Sequence, residues 1–125
     1  MAGPAQARPG ALDAGFGSGG LVTTDFGGQF SGAAALVLQN GRPVAAGTSS
    51  GEAAGSAVFA LARYRADGTL DPRFGSGGKV TTDFGEGNDV LRALALQADG
   101  RLVAAGGFND NGFGGTDFGL ARYLG

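Results

Sequence analysis

Acidic side chains are the residues of this chain most suited to catalysis. Aspartate recurs at Asp25 and Asp83, and Glu86 and Asp89 follow the second of these closely. Two carboxylates that face each other across one cleft are the machinery of glycoside hydrolysis. A catalytic pair is unique within a protein, whereas Asp25 and Asp83 occupy matching places in a repeated sequence. We therefore predict no catalytic residues, and the alternative is a carboxylate-dependent, glycan-active enzyme of the sialidase or glycosidase type.

Two glycine-rich motifs match signatures of other enzymes. The segment Gly15-Phe-Gly-Ser-Gly-Gly20 has the spacing of a dinucleotide-binding loop, but it leads into a Val-Thr-Thr segment typical of a strand, not into a helix. The segment Gly47-Thr-Ser-Ser-Gly51 has the spacing of a nucleophile turn, but the chain contains no histidine to act as the base. Neither motif predicts an active site.

Oxygen ligands of the kind that Ca²⁺ accepts are concentrated in the second half of the chain, at Glu86, Asp89, Asp110 and Asp117. Their spacing fits no EF-hand loop. Loops rich in Asn, Asp and Gly are usually turns. We therefore predict no metal site and no cofactor, with calcium as the alternative.

Arginine recurs at Arg63 and Arg122, each time in a segment otherwise made of Phe, Leu and Ala. An arginine among apolar residues needs a carboxylate or carbonyl partner. Because Asp25 and Asp83 recur with the arginines, we predict a repeated structural Arg–Asp bridge, either between the first and fourth strands or between neighbouring blades. Recognition of a ligand by the arginines is the alternative. The same aspartates are also expected to brace the turn at the end of the first strand, since short Asp side chains often accept hydrogen bonds from nearby amides.

Composition excludes several classes of partner. The 125 residues include 9 Lys and Arg against 11 Asp and Glu, a net charge of −2 with no basic stripe, so nucleic-acid binding is not expected. There is no cysteine for a disulfide framework. No segment has the length and apolar character of a membrane span or of a signal peptide. We expect a soluble chain without membrane insertion, of unknown location.

Internal repetition dominates the organisation of the chain. Residues 12–64 recur as residues 70–123, with a period of about 58 residues and most aligned positions identical. Many of the 27 glycines fall at matched sites, as expected for turns between short strands. The predicted division is an N-terminal segment 1–11, a first repeat 12–69 and a second repeat 70–125.

Each repeat contains four short apolar runs separated by turn residues. The Val, Thr, Phe and Tyr content of the runs favours strands, and Asn40-Gly41 and Asp99-Gly100 favour tight two-residue hairpins. The second run of each repeat is ambiguous, since it also fits a helical stripe, and we interpret it as a strand. The predicted strands are 21–26, 33–39, 43–47 and 58–65 in the first repeat and 79–84, 90–97, 102–106 and 118–124 in the second.

Four antiparallel strands in a repeat of about 58 residues are typical of a β-propeller blade. The predicted fold is therefore all-β, with two four-stranded antiparallel propeller-like blades. A small two-sheet β-sandwich is the alternative. The absence of His and Trp excludes the Gly-His and Trp-Asp signatures of WD40 propellers.

The ordered motifs of the repeat closely resemble the bacterial delta-60 repeat. They include Phe59-Ala-Leu-Ala-Arg-Tyr64, Ala66-Asp-Gly-Thr-Leu-Asp71, Phe74-Gly-Ser-Gly-Gly78 and Val80-Thr-Thr-Asp-Phe-Gly85. The first repeat departs from the pattern at Phe30-Ser31 and at Pro43. The resemblance implies a propeller-like unit found in tandem in large bacterial proteins, often secreted or at the cell surface, with no established catalytic activity.

These observations favour a noncatalytic scaffold or binding platform. Two blades are too few for a ring, since propellers typically have four to eight. We therefore expect either a larger tandem array or head-to-tail association through the blade faces, with three copies giving six blades and four giving eight. An unknown protein or glycan ligand would meet the loops that differ between repeats. The candidate ligand-binding residues are Ser49, Glu52, Phe108, Asn109, Asp110 and Phe113.

Overall fold

The computed structural model describes residues 8–52, 55–85, 87–109 and 116–125, and this part of the chain contains strands and no helix. The predicted all-β class is confirmed. Seven strands follow one another along the chain: β1 (Ser31–Gln39), β2 (Arg42–Ser50), β3 (Ala57–Arg63), β4 (Lys79–Thr82), β5 (Asn88–Leu96), β6 (Leu102–Asn109) and β7 (Thr116–Tyr123). The second apolar run of each repeat is a strand, as predicted, because it pairs along its length with the following run.

The two hairpins differ in their turns. β1 and β2 pair from Gln39 opposite Arg42, so Asn40-Gly41 forms the predicted two-residue turn, and both residues have positive φ, 50° and 77°. The β5–β6 ladder closes at Leu96 opposite Leu102, which leaves a five-residue connection. The prediction of a two-residue turn at Asp99-Gly100 is therefore wrong, because the extra residue of the second repeat lengthens the loop.

The seven strands belong to one hydrogen-bonded sheet, within which we call two antiparallel groups the first and the second blade. The first blade comprises β1–β4, in which β2 pairs with β1 and β3, and β4 pairs antiparallel with β3. The second blade comprises β5–β7, paired in that order. A single parallel bridge, Ala57 opposite Asn88, links the two ladders. Because β4 belongs to the second repeat, the blades are offset from the repeats: the second repeat supplies the last strand of the first blade.

The offset explains the main departure from the predicted strands. Residues 21–26 are not a strand; Leu21 makes only an isolated bridge with Ser18. Their equivalents in the second repeat form β4 because β3 lies beside them as a partner. A strand needs such a partner to satisfy its backbone groups, and no described strand lies beside residues 21–26.

The hydrophobic core lies between the blades, because β5 packs across β1, β2 and β3. Phe59 and Leu61 of β3 have no exposed surface and pack with Leu91 and Leu102 of the second blade. Phe84 meets Phe59 edge to face, with ring centroids 5.0 Å apart. The remaining buried members of this core are Val44, Ala46, Phe74 and Ala104.

Candidate functional site

A buried polar bridge joins the first blade to the start of the second repeat. Arg63 Nε donates to Asp71 Oδ2 at 3.0 Å, and an Arg63 terminal nitrogen donates to Gln39 Oε1 at 2.7 Å. Gln39 Nε2 in turn donates to the Gly100 carbonyl of the second blade at 2.6 Å. The Arg63 guanidinium lies 4.9 Å from the centre of the Phe74 ring. This chain of contacts ties three parts of the fold together.

Asp71 is the acidic centre of the bridge. The Arg73 amide donates to its Oδ1 at 3.0 Å, and Arg42 shares its Oδ2 with Arg63. The Arg73 hydrogen bond, followed by the charges of Arg63 and Arg42, holds the pKa of Asp71 below its ordinary value despite burial. Asp71 is therefore a carboxylate throughout the neutral range. Arg42, Arg65 and Arg73 also line a shallow cleft beside it.

The predicted partners of the repeated arginines are wrong. Arg63 pairs with Asp71, not with Asp25 or Asp83, because the strand end brings Arg63 to the turn that opens the second repeat. Within the described residues, Arg122 makes no ion pair and is exposed. Asp25 and Asp83 instead accept hydrogen bonds from the Gly27 and Gly85 amides, at 2.7 and 2.9 Å. These contacts brace the turns in both repeats.

Asp89 is the second buried carboxylate. It has no exposed surface, and its Oδ2 accepts a hydrogen bond from the Phe84 amide at 2.8 Å, whereas its Oδ1 has no partner. Burial, with a smaller effect of the Asp83 charge, raises the pKa of Asp89. No three acidic side chains of the described residues lie close enough to share a metal ion. Of the other calcium candidates, Asp117 is exposed on β7, and Glu86 and Asp110 lie outside the described residues.

The predicted ligand-binding residues that the structure describes differ in their surroundings. Ser49 lies within β2 with no exposed surface, so it is part of the sheet and not of a loop. Phe108 lies in β6 and packs against Phe84, with ring centroids 6.0 Å apart. Glu52 and Asn109 are exposed at strand ends. Asp110 and Phe113 lie outside the described residues.

One cavity of the first blade was not predicted. An open apolar groove of about 440 Å³ lies on the face of the first blade turned away from the second blade. Residues 12–30 cross this face, held in part by the hydroxyl contact of Thr24 with Tyr64. Ala45, Ala60 and Ala62 form part of its floor. The repeat carries a signal for this groove, since residues of the second repeat that pack into the core have equivalents on this face of the first.

Comparison with known proteins identifies the family. No curated protein and no solved structure matches the chain. The described residues include no helix with the length and apolar character needed to cross a membrane. A family model described as a domain of unknown function (DUF5122) β-propeller matches residues 38–74 and 97–124, which are equivalent parts of the two repeats and together make up half of the chain. With the all-β fold and its blades, this match places the chain in the DUF5122 β-propeller family.

Proposed function

We propose that the chain is a noncatalytic β-propeller module with tandem repeats of the delta-60 type, serving as a structural scaffold or binding platform within a larger assembly. The proposal is supported by the contacts of the polar residues that recur between the repeats. Arg63 ties the first blade to the start of the second repeat through Asp71, while Asp25 and Asp83 close turns. Side chains that recur in every repeat and satisfy the scaffold's own groups are not free to act on a substrate.

The arrangement of the carboxylates supports the same proposal. Asp83 and Asp89 are near enough for the charge of one to affect the pKa of the other. Asp89, however, has no exposed surface, so a glycan in solution does not reach it. A glycosidase needs both carboxyl groups flanking one accessible bond. We propose no catalytic residue and no cofactor for this module.

Two connections between strands differ between the repeats, and we propose that the binding platform lies there. Residues 51–56 join β2 to β3, and residues 110–115 join β6 to β7. Variable loops on a rigid sheet commonly carry recognition. Glu52 is exposed within the first connection, and Asn109 is exposed just before the second. We propose that a protein or glycan partner contacts these connections.

The experiment is a comparison of turnover and binding in one set of variants. Wild type, Asp25→Asn and Asp83→Asn are incubated with a panel of glycosides, and the same proteins with Glu52→Ala are screened on a glycan array. The proposal expects no turnover above buffer and no shift of the unfolding temperature on adding calcium or a chelator. Turnover that Asp83→Asn abolishes, with an unchanged unfolding temperature, would establish the glycosidase alternative.

A further inference from the structure

The apolar groove is lined by residues of the first repeat whose equivalents in the second repeat form one side of the hydrophobic core. The second repeat contributes eight side chains to the core between the blades. Shifted back by one repeat, all eight fall on residues that line the groove. The core residues are Phe74, Val80, Phe84, Leu91, Leu94, Leu102, Ala104 and Tyr123, and their groove equivalents are Phe16, Val22, Phe26, Ala33, Leu36, Pro43, Ala45 and Tyr64.

The opposite end of the molecule carries the other half of the same interface. Phe59 and Leu61, which fill the core from the first blade, correspond to Phe118 and Leu120. Phe59 and Leu61 have no exposed surface, whereas Phe118 is 96% and Leu120 63% exposed. Large apolar side chains exposed together on one strand are typical of an interaction surface. This surface, which we call the terminal face, is the counterpart that the groove lacks.

The ion pair at the boundary between the repeats also has equivalents, and these are not paired with each other. The buried pair Arg63–Asp71 corresponds to Arg122 and Asp13, which are exposed at opposite ends of the molecule. Asp13 already accepts the Gly15 amide at 2.8 Å, as Asp71 accepts that of Arg73. Its carboxylate is therefore oriented by its turn in the same way. The two ends have complementary charge as well as complementary shape.

The pairing of β3 with β4 also has equivalents, which are β7 and residues 21–24. Among the described residues, β7 has no strand on its outer edge, whereas its equivalent β3 pairs there with β4, Phe59 opposite Thr82 and Ala62 opposite Lys79. The equivalent of β4 in the first repeat is residues 21–24, Leu-Val-Thr-Thr, which form no ladder with any described part of the chain. An open edge with unpaired backbone groups is a template for strand addition. The register of β3 and β4 places Thr24 opposite Phe118 and Leu21 opposite Ala121.

We infer that the groove and the terminal face bind each other between two copies of this chain, head to tail. Phe118 and Leu120 of one copy enter the groove of the next, Arg122 pairs with the second copy's Asp13, and residues 21–24 of the second copy extend the sheet at β7. The inference rests on the proposed scaffold function and specifies how the scaffold grows. The two contacting surfaces differ, so association either closes into a ring or continues as a filament.

The test uses two variants that each block one half of the interface. Phe118→Asp places a charge on the terminal face, and Ala45→Arg fills the groove. Leu38→Asp is the control, since Leu38 is 61% exposed, close to the 63% of Leu120, but lies outside both surfaces. Light scattering over a concentration series measures the mass of each protein, and circular dichroism verifies that each is folded.

The inference expects wild type and Leu38→Asp to associate, and Phe118→Asp and Ala45→Arg to be monomers when alone. Mixing the two blocked variants is then decisive, because each retains the half that the other has lost. They should form a one-to-one dimer that grows no further. A folded wild-type monomer at all concentrations, or association that survives Phe118→Asp, overturns the inference. Either result leaves the noncatalytic proposal standing, which only glycoside turnover would remove.

Discussion

The guanidinium of Arg63 and the carboxylate of Asp71 form a buried ion pair, with 3.0 Å between Nε and Oδ2, across the boundary between the two repeats. Arg63 ends the third strand of the first blade, and Asp71 lies in the turn that leads to the fourth. The first blade is thus completed by the second repeat through both a strand and an ion pair. The stability of the first blade therefore depends on residues outside its own repeat.

Arg63→Ala is expected to destabilise the fold strongly. Removing one member of a buried ion pair costs about 3 kcal/mol. Asp71 would keep only Arg42, whose side chain is 39% exposed, as its counter-ion. Gln39 loses a hydrogen-bond donor in the same variant. Chemical unfolding measures the change, with Arg92→Ala, an exposed arginine on β5, as the control. An unfolding free energy equal to that of wild type would indicate that Arg63 serves a ligand and not the fold.

Asp71→Asn is expected to make the unfolding temperature less dependent on pH in acid. The pKa of Asp71 is lower in the folded than in the unfolded chain, so its contribution is present above the unfolded pKa, about 4. That contribution is lost as the pH falls through the folded pKa. The unfolding temperature of wild type should thus fall more steeply with acid than that of Asp71→Asn. Asp99→Asn, which removes an exposed pair with Arg101, should retain the wild-type slope.

Sequence patterns predicted the local structure more accurately than they predicted the contacts between repeats. Asn40-Gly41 specifies its turn because positive φ is required at both positions, and that requirement is local. Whether residues 21–26 form a strand depends on a neighbour that the segment does not encode. The pairing of Arg63 was missed for the same reason. Asp71 and Asp83 both have equivalents in the first repeat, Asp13 and Asp25, so recurrence alone does not distinguish them. Only the fold shows which carboxylate lies within reach of Arg63 at the end of β3.

Asp89→Asn should change stability with the opposite dependence on pH. Burial raises the folded pKa of Asp89, so ionisation in the folded chain is unfavourable, and the cost grows as the pH rises from the unfolded toward the folded pKa. The amide stays neutral and its oxygen can still accept the Phe84 hydrogen bond. The unfolding temperature of Asp89→Asn relative to wild type should therefore increase from pH 4 to pH 8. A difference that decreases over this range would contradict the raised pKa.

Gly47→Ala should be among the most damaging small substitutions in the chain. The β1–β2 register shifts between Ala33 and Ala35, which is a β-bulge, and Gly47 lies opposite it. A Cβ on Gly47 would overlap the carbonyl oxygen of Gly32, and backbone cannot move aside as a flexible side chain can. The expected loss is about 2 kcal/mol or more of unfolding free energy. Gly32→Ala is the matched control, since its Cβ would meet nothing within 4 Å and its stability should stay within about 1 kcal/mol of wild type. Equal stability of the two variants would show that the bulge relaxes around a methyl group. Gly106→Ala tests the equivalent contact in the second blade, where a Cβ would overlap the carbonyl oxygen of Val90.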